Sequence, residues 1–133
     1  YTGVEVLSWA KQVEALGAGE IIITSIDNEG TGQGFDLELT KKIATAVSIP
    51  VIACGGGGKL SDVKEVILTG QTDAVALASV FHYEYISKHK KNYDKKEGNI
   101  TFLTSGKTFK NVQPLTIAQV KKYLVKNKIT CRI

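Results

Sequence analysis

Four consecutive glycines, Gly55 to Gly58, directly follow the apolar run Pro50-Val51-Ile52-Ala53-Cys54 and precede a helical pattern. A backbone without side chains at a strand-to-helix junction lets an anion reach N–H groups directly, so this loop predicts phosphate binding. A dinucleotide fingerprint is excluded, because the following unit lacks the acidic residue that fold requires. A nucleotide P-loop is excluded too, since neither its six-residue lead-in nor a Ser/Thr after Lys59 is present. A second candidate loop, Thr24-Ser25-Ile26-Asp27-Asn28-Glu29-Gly30-Thr31, gathers hydroxyls, two carboxylates and a glycine. Hydroxyls and backbone N–H groups bind phosphate oxygens, and carboxylates bind sugar hydroxyls or take a proton. The alternative for this loop is a polar turn whose Asp27 and Thr31 cap the next helix. In a third loop, Ala76 to His82, small residues leave room for a ligand and Ser79 can donate to it. A glycine loop after one strand, with small residues and Ser after the next, matches the phosphate site of many barrels. His82 and Cys54 are read as structural, because no His–Asp partner pattern accompanies the thiol. The 77-residue separation of Cys54 and Cys131 is no metal-ligand spacing, and both are expected as reduced thiols.

Alternating elements must position these loops. Val6, Trp9, Ala10, Val13 and Leu16 recur at helical spacing, and Gly17 to Gly19 stop that helix. The run Ile21 to Ser25 shows no polar alternation, which predicts a strand covered on both faces. A helix is expected over Leu37 to Val47, a strand over Pro50 to Cys54, and a helix over Ser61 to Thr69 with Ser61 as its N-cap. A third buried strand is expected over Ala74 to Val80, with the regular pattern breaking after His82. Strand starts at 21, 50 and 74 lie 29 and 24 residues apart, the length of a βα unit, so a parallel α/β sheet follows. Beyond, Asn99 to Thr104 and Lys107 to Val112 flank a Ser105-Gly106 turn and predict a β-hairpin. A final helix is expected from about Thr116 to Lys126.

The chain has 133 residues, 43% apolar and 23% charged, which suits one domain. A complete (β/α)₈ barrel needs about 250 residues. The chain opens on Tyr1 and contains no methionine, which predicts further chain upstream. No apolar run reaches the roughly 18 residues of a membrane span, and no signal peptide opens the chain, so a cytoplasmic setting is expected. Seven lysines lie from Lys88 to Lys110 against Asp94 and Glu97, a solvated surface rather than a nucleic-acid site, because no aromatic interleaving accompanies them.

Five runs carry a family resemblance: Gly17-Ala-Gly-Glu-Ile-Ile-Ile-Thr-Ser-Ile-Asp, Gly30-Thr, Phe35-Asp-Leu-Glu-Leu-Thr, Pro50-Val-Ile-Ala-Cys-Gly-Gly and Ala78-Ser-Val-Phe-His. Their order and spacing resemble the cyclase subunit family of imidazole glycerol phosphate synthase (HisF). The resemblance implies an α/β fold, the C-terminal part (strands six to eight) of a TIM (β/α)₈ barrel, with residues 1–133 forming that half. Residues 86–114 would be an insertion before the last helix, bearing the hairpin and absent from the ordinary cyclase. It also implies a lyase of histidine biosynthesis. Ammonia from a HisH-like glutamine amidotransferase partner would attack a bisphosphorylated ribulosyl aminoimidazole, and ring closure would give imidazole glycerol phosphate. The family's two catalytic aspartates, on strands one and five, would lie upstream of Tyr1, so no catalytic residue, metal or cofactor is expected in this chain, which alone would be inactive. By position, Thr24, Ser25, Asp27, Glu29 and Gly30 would border substrate, and Gly55, Gly56, Ala78 and Ser79 would hold a terminal phosphate beside Cys54. Glu29 stands where the family usually has Asp, and Cys54 replaces a usual Ser. These departures leave open a paralogue that delivers ammonia for surface-sugar amidation. A non-catalytic half-barrel phosphate-binding module, self-associating through its open strand edges, is a further alternative.

Overall fold

The computed structural model of the chain describes residues 2–88 and 111–132. Among the described residues, three strands, β1 (Ile21–Thr24), β2 (Val51–Cys54) and β3 (Ala74–Val75), form one parallel sheet in sequential order. Helices α1 (Val6–Ala15), α2 (Leu37–Ala44), α3 (Leu60–Leu68), α4 (Ser79–Lys88) and α5 (Ile117–Lys126) alternate with them and follow. The architecture is the expected α/β alternation, an open parallel sheet that matches part of a (β/α)₈ barrel. The expected hairpin falls almost entirely on residues 99–110, which lie outside the described residues.

The parallel register aligns Ile22, Ile52 and Ala74 in one row and Thr24 and Cys54 in the next. Successive residues of a strand point to opposite faces, so these rows share one face and Ile23, Val51, Ala53 and Val75 share the other. The second face is covered by helices. Ile23 and Val51 pack with Ala10 of α1 and Ile43 of α2, while Ala53 packs with Phe35 and Val66 of α3. Ile43 and Val66 are completely buried, each contributing about 1.5–3 kcal/mol by leaving water. A third cluster joins Val63 of α3, Val80 of α4, and Val112, Leu115, Val120 and Leu124 on and before α5.

The first face is uncovered. Ile22 is 61% exposed and Thr24 is exposed as well, so β1 is not covered on both faces as its sequence implied. A run of β-branched residues signals strand propensity, and only the elements packed around it decide which faces are buried. Likewise Val6, Trp9 and Leu16, on the expected apolar stripe of α1, are exposed, and Ala10 carries its burial.

Three boundaries are also corrected. The third strand ends at Val75 rather than Val80, and Ser79 already begins α4, which runs without a break past His82. Its ladder stops because β2 ends at Cys54 and the backbone of Gly55, at φ +92°, turns away, leaving nothing to pair beyond Ala76. Helix α3 is not capped by Ser61. Lys59 occupies the cap position in extended conformation, and the Asp62 carboxylate accepts its N–H at 3.1 Å. Helix α2 ends at Ala44, and its cap is Asp36, which accepts the Leu39 N–H at 2.9 Å; neither Asp27 nor Thr31 has that role.

Candidate anion site at the strand ends

The ends of β2 and β3 deliver two loops to one place. Gly55 and Gly56 both have positive φ, +92° and +97°, which glycine adopts without penalty. Close packing excludes side chains here as well. A Cβ on Gly56 would fall onto the Gly34 carbonyl oxygen, and one on Gly57 would meet the Phe35 ring at 2.6 Å. Gly34 N–H donates to Gly56 O at 2.8 Å, and Asn28 Nδ2 donates to Gly34 O at 3.0 Å, tying the glycine loop to the loop after β1. From the other side, the buried Asp62 carboxylate accepts the N–H of Gly58 at 2.9 Å. Its Oδ1 takes a further hydrogen bond from Ser61 Oγ at 3.3 Å, so the buried carboxylate is held by a fixed set of donors.

A cavity of about 40 Å³ sits in this frame, lined by Glu29, Gly30, Gly32, Cys54, Gly55 to Gly57, Ala76 to Ser79, and Val112. One buried water needs roughly 10–15 Å³, so this space suits about three waters or one tetrahedral oxyanion. Ser79 is the first residue of α4 and lines the cavity, which places the positive end of that helix at the space. Glu29 is exposed, and its Oε2 lies 3.0 Å from where a Gly55 Cβ would sit. A carboxylate there repels an anion, which suits it to a hydroxyl at the cavity rim rather than to the oxyanion itself.

Of the residues expected at the site, Glu29, Gly30, Cys54, Gly55, Gly56, Ala78 and Ser79 line this cavity together. Thr24, Ser25 and Asp27 do not. Thr24 lies on the uncovered sheet face, and Asp27 is exposed in the turn after β1. Ser25 is buried as a hinge between strands: its N–H donates to Cys54 O at 3.3 Å, its carbonyl accepts the Glu29 N–H at 2.9 Å, and its hydroxyl faces Asp36 at 3.4 Å. Gly32, Ala76, Leu77 and Val112 were not singled out from sequence. Ala76 and Leu77 belong to a loop already singled out and Gly32 directly follows another, whereas nothing local points to Val112. His82 is exposed on α4 with its ring edge-on to Tyr83, and Cys54 and Cys131 are free thiols. Among the described residues, no group of three His, Cys, Asp or Glu side chains converges as a metal site would require. Nor, among them, is any helix long and apolar enough to cross a membrane.

Fold and site together define an open parallel α/β unit, consistent with part of a (β/α)₈ barrel, whose loops gather at the C-terminal ends of its strands. The family model described as histidine biosynthesis protein matches residues 1–87, and the chain belongs to that family. It is 52% identical over 98 residues to the imidazole glycerol phosphate synthase subunit HisF of Clostridium botulinum (strain Langeland / NCTC 10281 / Type F), covering 73% of this chain and 39% of the relative. It is also 52% identical over 86 residues to the HisF subunit of Alkaliphilus metalliredigens (strain QYMF), covering 65% of this chain and 34% of the relative. The chain thus spans less than two-fifths of the length of these curated relatives.

Proposed function

We propose that this chain is the substrate- and phosphate-binding part, strands six to eight, of a cyclase subunit of imidazole glycerol phosphate synthase acting in histidine biosynthesis in the cytoplasm. The supporting observation is the oxyanion-sized cavity formed where the glycine loop after β2 meets Ser79 at the start of α4. One phosphate of a bisphosphorylated ribulosyl aminoimidazole occupies it. Gly56, Gly57 and Ser79 supply donors, the α4 dipole favours the negative charge, and Glu29 at the rim accepts from a hydroxyl of the sugar-derived chain. Ammonia from a HisH-like glutaminase attacks the substrate keto group, and ring closure follows. Proton transfers belong to two aspartates on strands outside this chain, so the residues here bind and orient without catalysing. Among the described residues, the uncovered sheet face and the β1 and β3 edges suit pairing with further strands, including those of a second half-barrel.

Ser79→Asp tests the anion site directly. An acidic residue is well tolerated in the first turn of a helix, so folding is retained while a like charge enters the cavity. Titration with inorganic phosphate, followed by phosphorus NMR, is expected to find binding to the unaltered chain and a loss of at least about tenfold, or roughly 1.4 kcal/mol, in the variant. Equal phosphate affinity in both proteins refutes the site.

A further inference from the structure

The cavity is completed by a segment that the family model does not reach. That match ends at residue 87, yet Asn111 to Leu115 run across all three loops of the candidate site. Asn111 Nδ2 donates to Thr31 O at 3.3 Å in the loop after β1. The Gln113 N–H donates to Gly58 O at 2.7 Å in the loop after β2. The Leu115 N–H donates to Val80 O at 3.1 Å in the first turn of α4. Val112, 7% exposed, lines the cavity itself.

The fit is close on both sides. A Cβ on Gly32 would stand 2.8 Å from Val112 Cγ2, and one on Gly58 would strike the Asn111 carbonyl oxygen. Gly58 does not have positive φ, so packing against this segment and the Gly32 carbonyl, not backbone angle, excludes a side chain there. Leu115, 2% exposed, anchors the segment in the cluster with Val63, Val80 and Val120. One short stretch is therefore bonded to three loops and buried at two of its residues. The loops after β1 and β2 are already tied to each other through Gly34 and Gly56, and the segment links both to the start of α4. A shift of a fraction of an ångström between these parts misaligns donors around an oxyanion.

We propose that Asn111–Leu115 is a positioning strap for the anion site, and that Val112 sets the size of the cavity as its apolar wall. This deepens the phosphate-binding reading and rests on it. The segment holds the glycine loop, the β1 loop and the α4 terminus at the spacing that a single tetrahedral oxyanion requires. Its residues do not touch the charge of the ligand. Their contribution is the fixed distance between the groups that do.

A matched pair of truncations in the 133-residue chain tests the idea. Val112→Ala and Val120→Ala remove the same two methyl groups from two residues of one buried cluster, so both lower the melting temperature by similar amounts. Only Val112 lines the cavity. With inorganic phosphate as the probe, Val112→Ala is expected to weaken binding about tenfold, the equivalent of roughly 1.4 kcal/mol of lost positioning. Val120→Ala is expected to bind as the unaltered chain does. Asn111→Ala, whose exposed side chain is dispensable for folding, is expected to fall between them. Unchanged phosphate affinity in both Val112→Ala and Asn111→Ala overturns the strap while leaving the phosphate site intact. Absence of phosphate binding by the unaltered chain overturns both.

Discussion

At the scale of single residues, the glycine loop separates two reasons for requiring glycine. Gly30 has φ +73° with open space around its Cβ position, whereas Gly56 combines φ +97° with the Gly34 carbonyl where a Cβ would stand. An L-residue in the left-handed region costs about 1–2 kcal/mol. Gly30→Ala is therefore expected to lose about that much in urea denaturation. Gly56→Ala must also push the Gly34 carbonyl aside and break its own link to the β1 loop, so a clearly larger loss is expected. Equal destabilisation by the two variants would mean that the close approach at Gly56 is unimportant. Cys54 lines the cavity at the end of β2, but no histidine lines it beside the thiol, so the pairing that activates a nucleophilic cysteine is missing there.

At the scale of elements, α1 is joined to α2 and to the start of β2 by two surface carboxylates. Glu5 caps α1 by accepting the Ser8 N–H at 2.8 Å and pairs with Lys42 of α2 at 2.9 Å, and these partners lower its pKa from 4.5 to about 2. Glu14 accepts both the hydroxyl and the N–H of Ser48, at 2.6 and 2.7 Å, which holds its carboxyl below the usual carboxylate range. A group whose pKa is depressed on folding adds stability that is complete above its unfolded value near 4.5 and is lost as pH falls toward the folded value. Melting temperature is thus expected to decline from about pH 4.5 downward. A Glu5→Gln, Glu14→Gln double variant should show a shallower decline over that acid range, with lower stability at neutral pH. Because both groups are exposed, the effect is modest and shrinks in high salt. An unaltered acid profile in the double variant would assign the pH dependence elsewhere. The same scale explains the boundary errors: helix α3 starts at Leu60 because Asp62 can reach back to two N–H groups of the glycine loop, a contact that ties the helix to the site.

At the scale of the whole molecule, the sheet has one clothed face and one bare one. Ile22 and Thr24 on the bare face are exposed, and Trp9 of α1 is 51% exposed. An apolar groove of about 430 Å³ also runs along β3 between α3 and α5. A parallel sheet is ordinarily covered on both faces, and unpaired edges invite another strand. In line with the proposed half-barrel pairing, sedimentation at tens of micromolar is expected to find a species of twice the 14.4 kDa chain mass. Ile22→Lys should return it to the monomer by placing a charge on the shared face. A chain that is monomeric at those concentrations counts against pairing.

Much of this architecture is written in local chemistry. Apolar runs at 21, 50 and 74, the first two each followed by a polar or glycine-rich loop and then a helical pattern, are enough to specify the alternation and the parallel order. The loops after β2 and β3 could be suspected as one site because strand ends in such a sheet face the same way. Burial could not be read this way. Ile21 to Thr24 has the same composition whether one face or two are covered, and what covers it lies far away in sequence. Nor could the strap. Val112 reaches Gly32 across 80 positions of chain, and the hairpin strand in which the sequence places Asn111 and Val112 says nothing of that contact. Short-range patterns encode which elements form, because propensity and alternation act between near neighbours. Which faces are clothed, where β3 must end and which distant segment closes the cavity depend on contacts that exist only once the chain has folded.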